Sequence, residues 1–241
     1  MDDSRYDFAL RRSFDMRLDR VGREGEPVLT VEGVLADPQS LVDYAATEVT
    51  FAPAWGANGG YPGVRAPAPL NYVNKVVRAL APSINRAFGL SDAKLVRAEC
   101  NLSMVVLPPT ALHVQQRVPH FDTASPMQFA VLHYLCAPEH GGTAFYRHRS
   151  TGFEAITPDR LRSFEAARDA EIAAAPPPSA YVTRTSRDYE QIGAVEAAFD
   201  RLVIYRSRLL HSGQISQASA LSDDPRIGRL TANIFVNFAP A

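Results

Sequence analysis

The sequence predicts a mainly β, α+β fold: a jelly-roll core with helices in front of it and one helix inserted among its strands. Three observations carry that prediction. Short runs of β-branched, aromatic and aliphatic residues, punctuated by Pro and Gly, crowd residues 95–238. Helix-period segments fill the front of the chain and recur once inside the strand-rich part. Two histidines suited to a common task, His120 and His211, are far apart in sequence, and a jelly roll makes neighbours of distant strands. At 241 residues the chain fits one domain, with residues 1–94 as a helical and loop part packed on a core of residues 95–241.

Residues 1–26 are polar and charged without a sustained period and read as an arm or an early strand. Residues 27–35 are strand-like. Asp37-Pro38 then supplies a helix cap and a first-turn proline. Ser40 to Val49 follows as a short amphipathic helix with Leu41, Tyr44, Ala45 and Val49 on one side. Residues 52–69, rich in Pro and Gly and containing Trp55, read as a long loop, and loops of that length inside a domain are usually functional. A second helical stretch spans roughly Leu70 to Phe88, with a break expected near Ala81-Pro82. Strand runs follow at 95–107, ended by Pro108-Pro109, at 127–136, and at 143–146 after the Gly141-Gly142 turn. Thr157-Pro158 opens a helix that ends at about Ala174, before Pro176-Pro177-Pro178. Residues 199–205, 209–211 and 230–238 complete the strands.

The formal net charge of −1 argues against a general nucleic-acid binder. No apolar run reaches the length needed to cross a bilayer. The opening residues 1–5 lack a basic region followed by an apolar stretch, so no signal peptide is expected. Cys100 and Cys136 each sit in an apolar run and read as buried free thiols of a reducing compartment. Together these features predict a cytoplasmic protein without a nucleic-acid or membrane partner.

The chemistry centres on Pro119-His120-Phe121-Asp122, the one place where a histidine is followed two residues later by a carboxylate. On an extended strand, residues two apart share a face, which sets an imidazole beside a carboxylate. A second histidine from a distant strand, taken as His211, completes the two-histidine, one-carboxylate face that holds non-haem Fe(II) and leaves positions open. By itself a His-x-Asp pair is an ordinary surface motif. His113, His133, His140 and His148 are not needed as ligands.

Four segments in order then make the pattern specific. They are residues 119–122; residues 131–135 with the following Gly141-Gly142-Thr143; residues 199–205 through His211-Ser212; and residues 229–238. Over roughly Leu95 to Phe238 the chain resembles the Fe(II)/2-oxoglutarate-dependent oxygenases, in particular their prolyl-hydroxylase-like branch. The resemblance implies a double-stranded β-helix core and His120, Asp122 and His211 as iron ligands. It implies Arg229 as partner of the distal carboxylate of 2-oxoglutarate, with Tyr134 and Thr231 as further donors to that cosubstrate. The implied activity consumes O2 and 2-oxoglutarate, releases succinate and CO2, and hydroxylates or otherwise oxidises a small-molecule or peptidyl substrate. Halogenating relatives lack the carboxylate ligand, so Asp122 favours hydroxylation or a related oxidation. The interval from His211 to Arg229 is longer than is usual in the family, and Arg226 competes with Arg229 for the role.

Other residues are candidates for substrate contact. Trp55, Tyr61 and Arg65 form a possible lid, Tyr146 follows the Gly-Gly turn, and Gln116 and Arg206 flank the metal-binding segments. The basic character of the flanks hints at an anionic substrate group. Two other readings compete: a redox-neutral, cupin-type metalloenzyme using the same ligands, and a non-catalytic jelly-roll binding module. Arg229 separates the first of these, since redox-neutral chemistry needs no buried partner for a dicarboxylate.

Overall fold

Alternating apolar residues make most strands of this chain two-sided, and the fold covers both sides. A computed structural model describes residues 5–57, 59–90, 93–215 and 221–240. In chain order the elements are β1 (Asp15–Val21), β2 (Glu26–Glu32), α1 (Gln39–Thr47), β3 (Ala52–Gly56), β4 (Gly59–Pro67), α2 (Leu70–Phe88) and β5 (Ala93–Val105). There follow β6 (Gln128–Tyr134), β7 (Thr143–His148), α3 (Pro158–Ala174), β8 (Tyr189–Val195), β9 (Arg201–Arg206), β10 (His211–Gly213) and β11 (Leu230–Pro240). An eight-stranded sheet runs β1-β2-β9-β6-β11-β5-β4-β3, and a three-stranded sheet runs β10-β7-β8. The pairings are antiparallel, as in a jelly roll of the double-stranded β-helix type, and the large sheet does not close on itself.

Strand alternation sorts the apolar residues into three layers. Val131, Leu202, Ile204, Ala232 and Ile234 point from the large sheet toward the helices, where they meet Leu41 and Tyr44 of α1 and Tyr72, Val76, Leu80 and Ile84 of α2. Their neighbours Ala130, Leu132, Tyr134, Val203 and Tyr205 point the other way and meet Phe145 and Val195 of the small sheet. On the outer side of the small sheet, Ala144 and Tyr146 pack with Phe164 of α3. Each fully buried large side chain contributes on the order of 1.5–3 kcal/mol.

Most expected elements are present within a few residues, with four corrections. Residues 52–69 are not a loop: β3 and β4 form an antiparallel hairpin at the edge of the large sheet, with Trp55 opposite Gly60. Main-chain pairing with β5 holds β4 in place despite its Gly and Pro content. Helix α2 has no break at Pro82, because the proline lies on the exposed side while Leu80 and Ile84 keep the buried face intact. Strand β8 was not expected, its sequence Tyr-Glu-Gln-Ile-Gly-Ala-Val being mostly polar or small. Finally, residues 119–122 are extended but not a strand proper. His120 makes a single bridge to His211, and the Asp122 N–H bonds the Ser207 carbonyl at 2.8 Å. The extended stretch between His211 and Arg229 lies partly outside the described residues. Both cysteines are free, and they sit in different layers. No described helix is long and apolar enough to cross a membrane.

Candidate metal centre

The bridge between His120 and His211 builds the site. Each backbone N–H donates to the other residue's carbonyl, at 2.9 and 2.8 Å, so the two imidazoles stand side by side, ring centroids 4.3 Å apart and planes tilted by 51°. Asp122 completes the group. Its Oδ1 lies 4.0 Å from Nε2 of His120 and 3.8 Å from Nε2 of His211. Among the described residues these are the three whose ligand atoms converge, all within 4.8 Å of one another.

The tautomer of His211 follows from one bond. Its Nδ1 lies 2.8 Å from the Leu209 carbonyl, which can only accept, so the proton is on Nδ1. In the neutral ring the Nε2 lone pair therefore faces the Asp122 carboxylate. Burial pushes the His211 pKa down to about 4, against that bond, so the ring is neutral near pH 7. His120 is open to water from the cavity but otherwise surrounded by protein. That surrounding, with His211 beside it, brings its pKa to about 4. Burial also pushes the Asp122 carboxyl up, opposed by His120. Lone pairs aimed at a carboxylate repel unless a cation lies among them, so the donor set fits a metal ion.

The three donors line a cavity of about 540 Å³ whose wall also includes Tyr61, Arg65, Gln116, Thr143, Tyr205, Arg229 and Asn233. Its size falls within the usual range for small-ligand sites. Arg229 is buried, whereas Arg226 is exposed. The Arg229 Nε donates to the carbonyls of His140 (3.2 Å) and Gly141 (3.1 Å), and Nη2 donates to that of Gly142 (3.1 Å). Nη1 makes no hydrogen bond among the described residues. A side chain at Gly141 or Gly142 would strike the backbone: a Cβ would lie 1.7 Å from the Gln214 carbonyl oxygen or 1.9 Å from that of Val195. The Gly-Gly pair is thus what lets the turn wrap the guanidinium.

Tyr134 and Thr231 are paired across β6 and β11 on the same side as Arg229. The Tyr134 hydroxyl bonds the Thr143 hydroxyl at 2.7 Å, and its ring lies 5.8 Å from the Arg229 guanidinium. Of the substrate candidates, Tyr61, Arg65 and Gln116 line the cavity. Trp55, Tyr146 and Arg206 do not. Trp55 is on the exposed hairpin arm. Tyr146 faces α3, and Arg206 faces the helix layer, where it bonds Glu26 and the Phe88 carbonyl. Alternation decides both, since each is one residue out of phase with the cavity face. Sequence reading missed Thr143, Tyr205 and Asn233. Tyr205 and Asn233 each sit two or four residues from an inward neighbour, a spacing that becomes informative once the inward face is known. His133 is on the helix side of β6, buried between the Tyr72 hydroxyl (2.8 Å) and Asp200 (3.0 Å).

Residues 12–236 match the profile of a family of unknown function, DUF6445. The chain belongs to that family. No curated protein matches this DUF6445 chain. Among solved structures, it is similar to HygX from Streptomyces hygroscopicus with nickel and 2-oxoglutarate bound, at 11% identity over 90% of this chain and 84% of that one, TM-score 0.47. It is also similar to the non-heme alpha-ketoglutarate-dependent epimerase SnoN of nogalamycin biosynthesis, at 15% identity over 88% and 79%, TM-score 0.45. A third is an N-substituted L-amino acid dioxygenase from Burkholderia ambifaria AMMD, at 10% identity over 93% and 94%, TM-score 0.40.

Proposed function

We propose that this chain is an Fe(II)- and 2-oxoglutarate-dependent oxygenase that hydroxylates or otherwise oxidises a small-molecule or peptidyl substrate, releasing succinate and CO2. One observation carries the reading: two imidazole nitrogens and a carboxylate aim at a common point in a cavity that also holds Arg229. Such a donor set suits non-haem Fe(II). When bound, iron and 2-oxoglutarate supply the redox chemistry with O2. The chain's own residues bind, orient and exclude water. His120, Asp122 and His211 would hold the metal, with the Leu209 carbonyl fixing the orientation of the His211 ring. Arg229, its plane set by the turn carbonyls, would take the distal carboxylate of 2-oxoglutarate, and Tyr134 and Thr231 would frame it. A guanidinium suits this role because its fork matches a carboxylate with two parallel bonds.

Anaerobic addition of Fe(II) and then 2-oxoglutarate should give a visible charge-transfer band, and His120→Ala or Asp122→Ala should abolish it. Bound metal without a band would overturn the reading in favour of a redox-neutral metalloenzyme.

A further inference from the structure

The cavity contains a second guanidinium, Arg65, that the proposed metal and cosubstrate leave unmatched. Arg65 stands on β4 opposite Ser103 of β5, Ser103 stands opposite Thr231 of β11, and Thr231 opposite Tyr134 of β6. These four residues form one row across the inward face of the large sheet. The Arg65 guanidinium lies over the Tyr61 ring, 4.3 Å from its centroid. Its Nε is buried without a hydrogen-bond partner, and Arg65 makes no ion pair of contact distance among the described residues; the nearest carboxylate whose charge it feels is Asp122, a proposed metal ligand. The Nε atoms of Arg206 and Arg208 are buried and unbonded as well, but those two guanidiniums pair with Glu26; Arg147 pairs with Glu154 and Glu190, and Arg229 bonds three carbonyls. The hydroxyl of Tyr61 is also buried; it lacks a hydrogen bond of good geometry, and the Thr231 hydroxyl is the side chain placed to give one. Burial raises its pKa against the pull of Arg229 and Arg65, so it stays an O–H donor.

Charge specifies what is missing. Among the described residues, Asp122, Arg65 and Arg229 are the charged side chains that line the cavity. Fe(II) brings two positive charges, 2-oxoglutarate two negative, Asp122 one negative and Arg229 one positive, which together cancel. Arg65 then remains as one uncompensated positive charge, half-buried in the cavity wall and so partly stripped of water, which an anion would offset. A single negative charge restores neutrality, and a carboxylate matches the guanidinium fork.

We propose that Arg65, with the hydroxyl of Tyr61 beside it, is the substrate-recognition subsite and takes one carboxylate group carried by the substrate. The proposal rests on the oxygenase reading for the charge that the metal and cosubstrate bring. The substrate class is therefore a monocarboxylate, with its oxidised position held toward the metal by this anchor.

The chain provides its own reporter, since its one tryptophan, Trp55, pairs across the hairpin with Gly60, which lines the cavity. The full-length protein, loaded anaerobically with Fe(II) and 2-oxoglutarate, would be titrated with acetate, butyrate and benzoate and with their matched amides. Trp55 fluorescence reads binding, and the charge-transfer band reads cosubstrate. Carboxylates should bind more tightly than amides. Arg65→Gln should weaken the carboxylates by about ten- to hundredfold, the scale of one charged hydrogen-bonded contact, while keeping the band. Arg65→Lys should recover part of the loss, and Arg229→Gln should lose the band while keeping carboxylate binding to the metal-loaded protein. Four results would overturn the subsite: no carboxylate binding by the wild type, equal binding of acids and amides, an Arg65→Gln affinity within twofold of wild type, or loss of the band in Arg65→Gln with carboxylate binding retained. A wild type that binds carboxylates through Arg65 but gives no band would refute the oxygenase reading instead, and the anion subsite would stand.

Discussion

At His211 a single hydrogen bond decides what the ring can do. With the Nδ1 proton directed at the Leu209 carbonyl, the other nitrogen is left as a lone pair, which is what a metal ligand requires. Glu154 shows the same logic in a structural role. Burial pushes its carboxyl up, but the N–H groups of Arg23 and Glu24, each 2.9 Å away, and the Arg147 guanidinium hold it below its ordinary value overall. A carboxyl depressed in the folded state stabilises fully above its unfolded-state value, and that contribution is lost as pH falls through the folded value. The wild type should therefore lose stability more steeply than Glu154→Gln as pH drops below about 4.5, as followed by urea unfolding at a series of pH values. Parallel profiles for the two proteins would sink this account.

At the scale of elements, backbone pairing and packing override local sequence. The β3–β4 hairpin carries the Gly and Pro of a loop, yet pairing with β5 makes it the wall that presents Tyr61 and Arg65. In α2, Pro82 removes one helical N–H and crowds the carbonyl one turn earlier, and the helix continues because tertiary contacts on both sides hold it. Pro82→Ala should restore that bond on an exposed face. Against a helix-interior penalty of about 3 kcal/mol stands roughly 0.4–1 kcal/mol from a more flexible unfolded chain, so a net gain of about 2 kcal/mol is expected. Calorimetry should show a rise in Tm of roughly 4–8 °C for a chain of this size. An unchanged or lower Tm would show that the proline costs the helix nothing here.

Across the whole molecule, one buried residue ties the helical layer to the large sheet. Asp200, at φ 63°, accepts the Leu35 N–H at 3.1 Å and meets His133 at 3.0 Å, while His133 in turn meets Tyr72 of α2 at 2.8 Å. Removing the carboxylate strands several buried polar groups, so Asp200→Ala should destabilise by about 2–4 kcal/mol. Metal affinity should stay within a few-fold of wild type, because the network lies on the opposite face of the sheet from the proposed ligands. Urea unfolding and a metal titration on the same protein test both halves; a stable variant, or one that no longer binds metal, would contradict this division of labour.

Much of this was legible in one dimension. Strand alternation, the helix at 158–174 and the proximity of an imidazole and a carboxylate two residues apart are local properties, and local sterics and solvation fix them. The Gly141-Gly142 pair was visible too, although its reason, a turn pressed against two other backbones around Arg229, was not. Which face of each strand looks inward depends on what covers the other face. That is why Tyr146 and Arg206 read as candidates and belong elsewhere, and why Asn233 and Thr143 went unseen. The sequence by itself determined the composition of the proposed ligand set and the fold class. The tertiary structure alone decided that His120 and His211 bridge, and that Arg65 makes no ion pair of contact distance among the described residues. Both are contacts between segments distant in the chain, and no local preference encodes them.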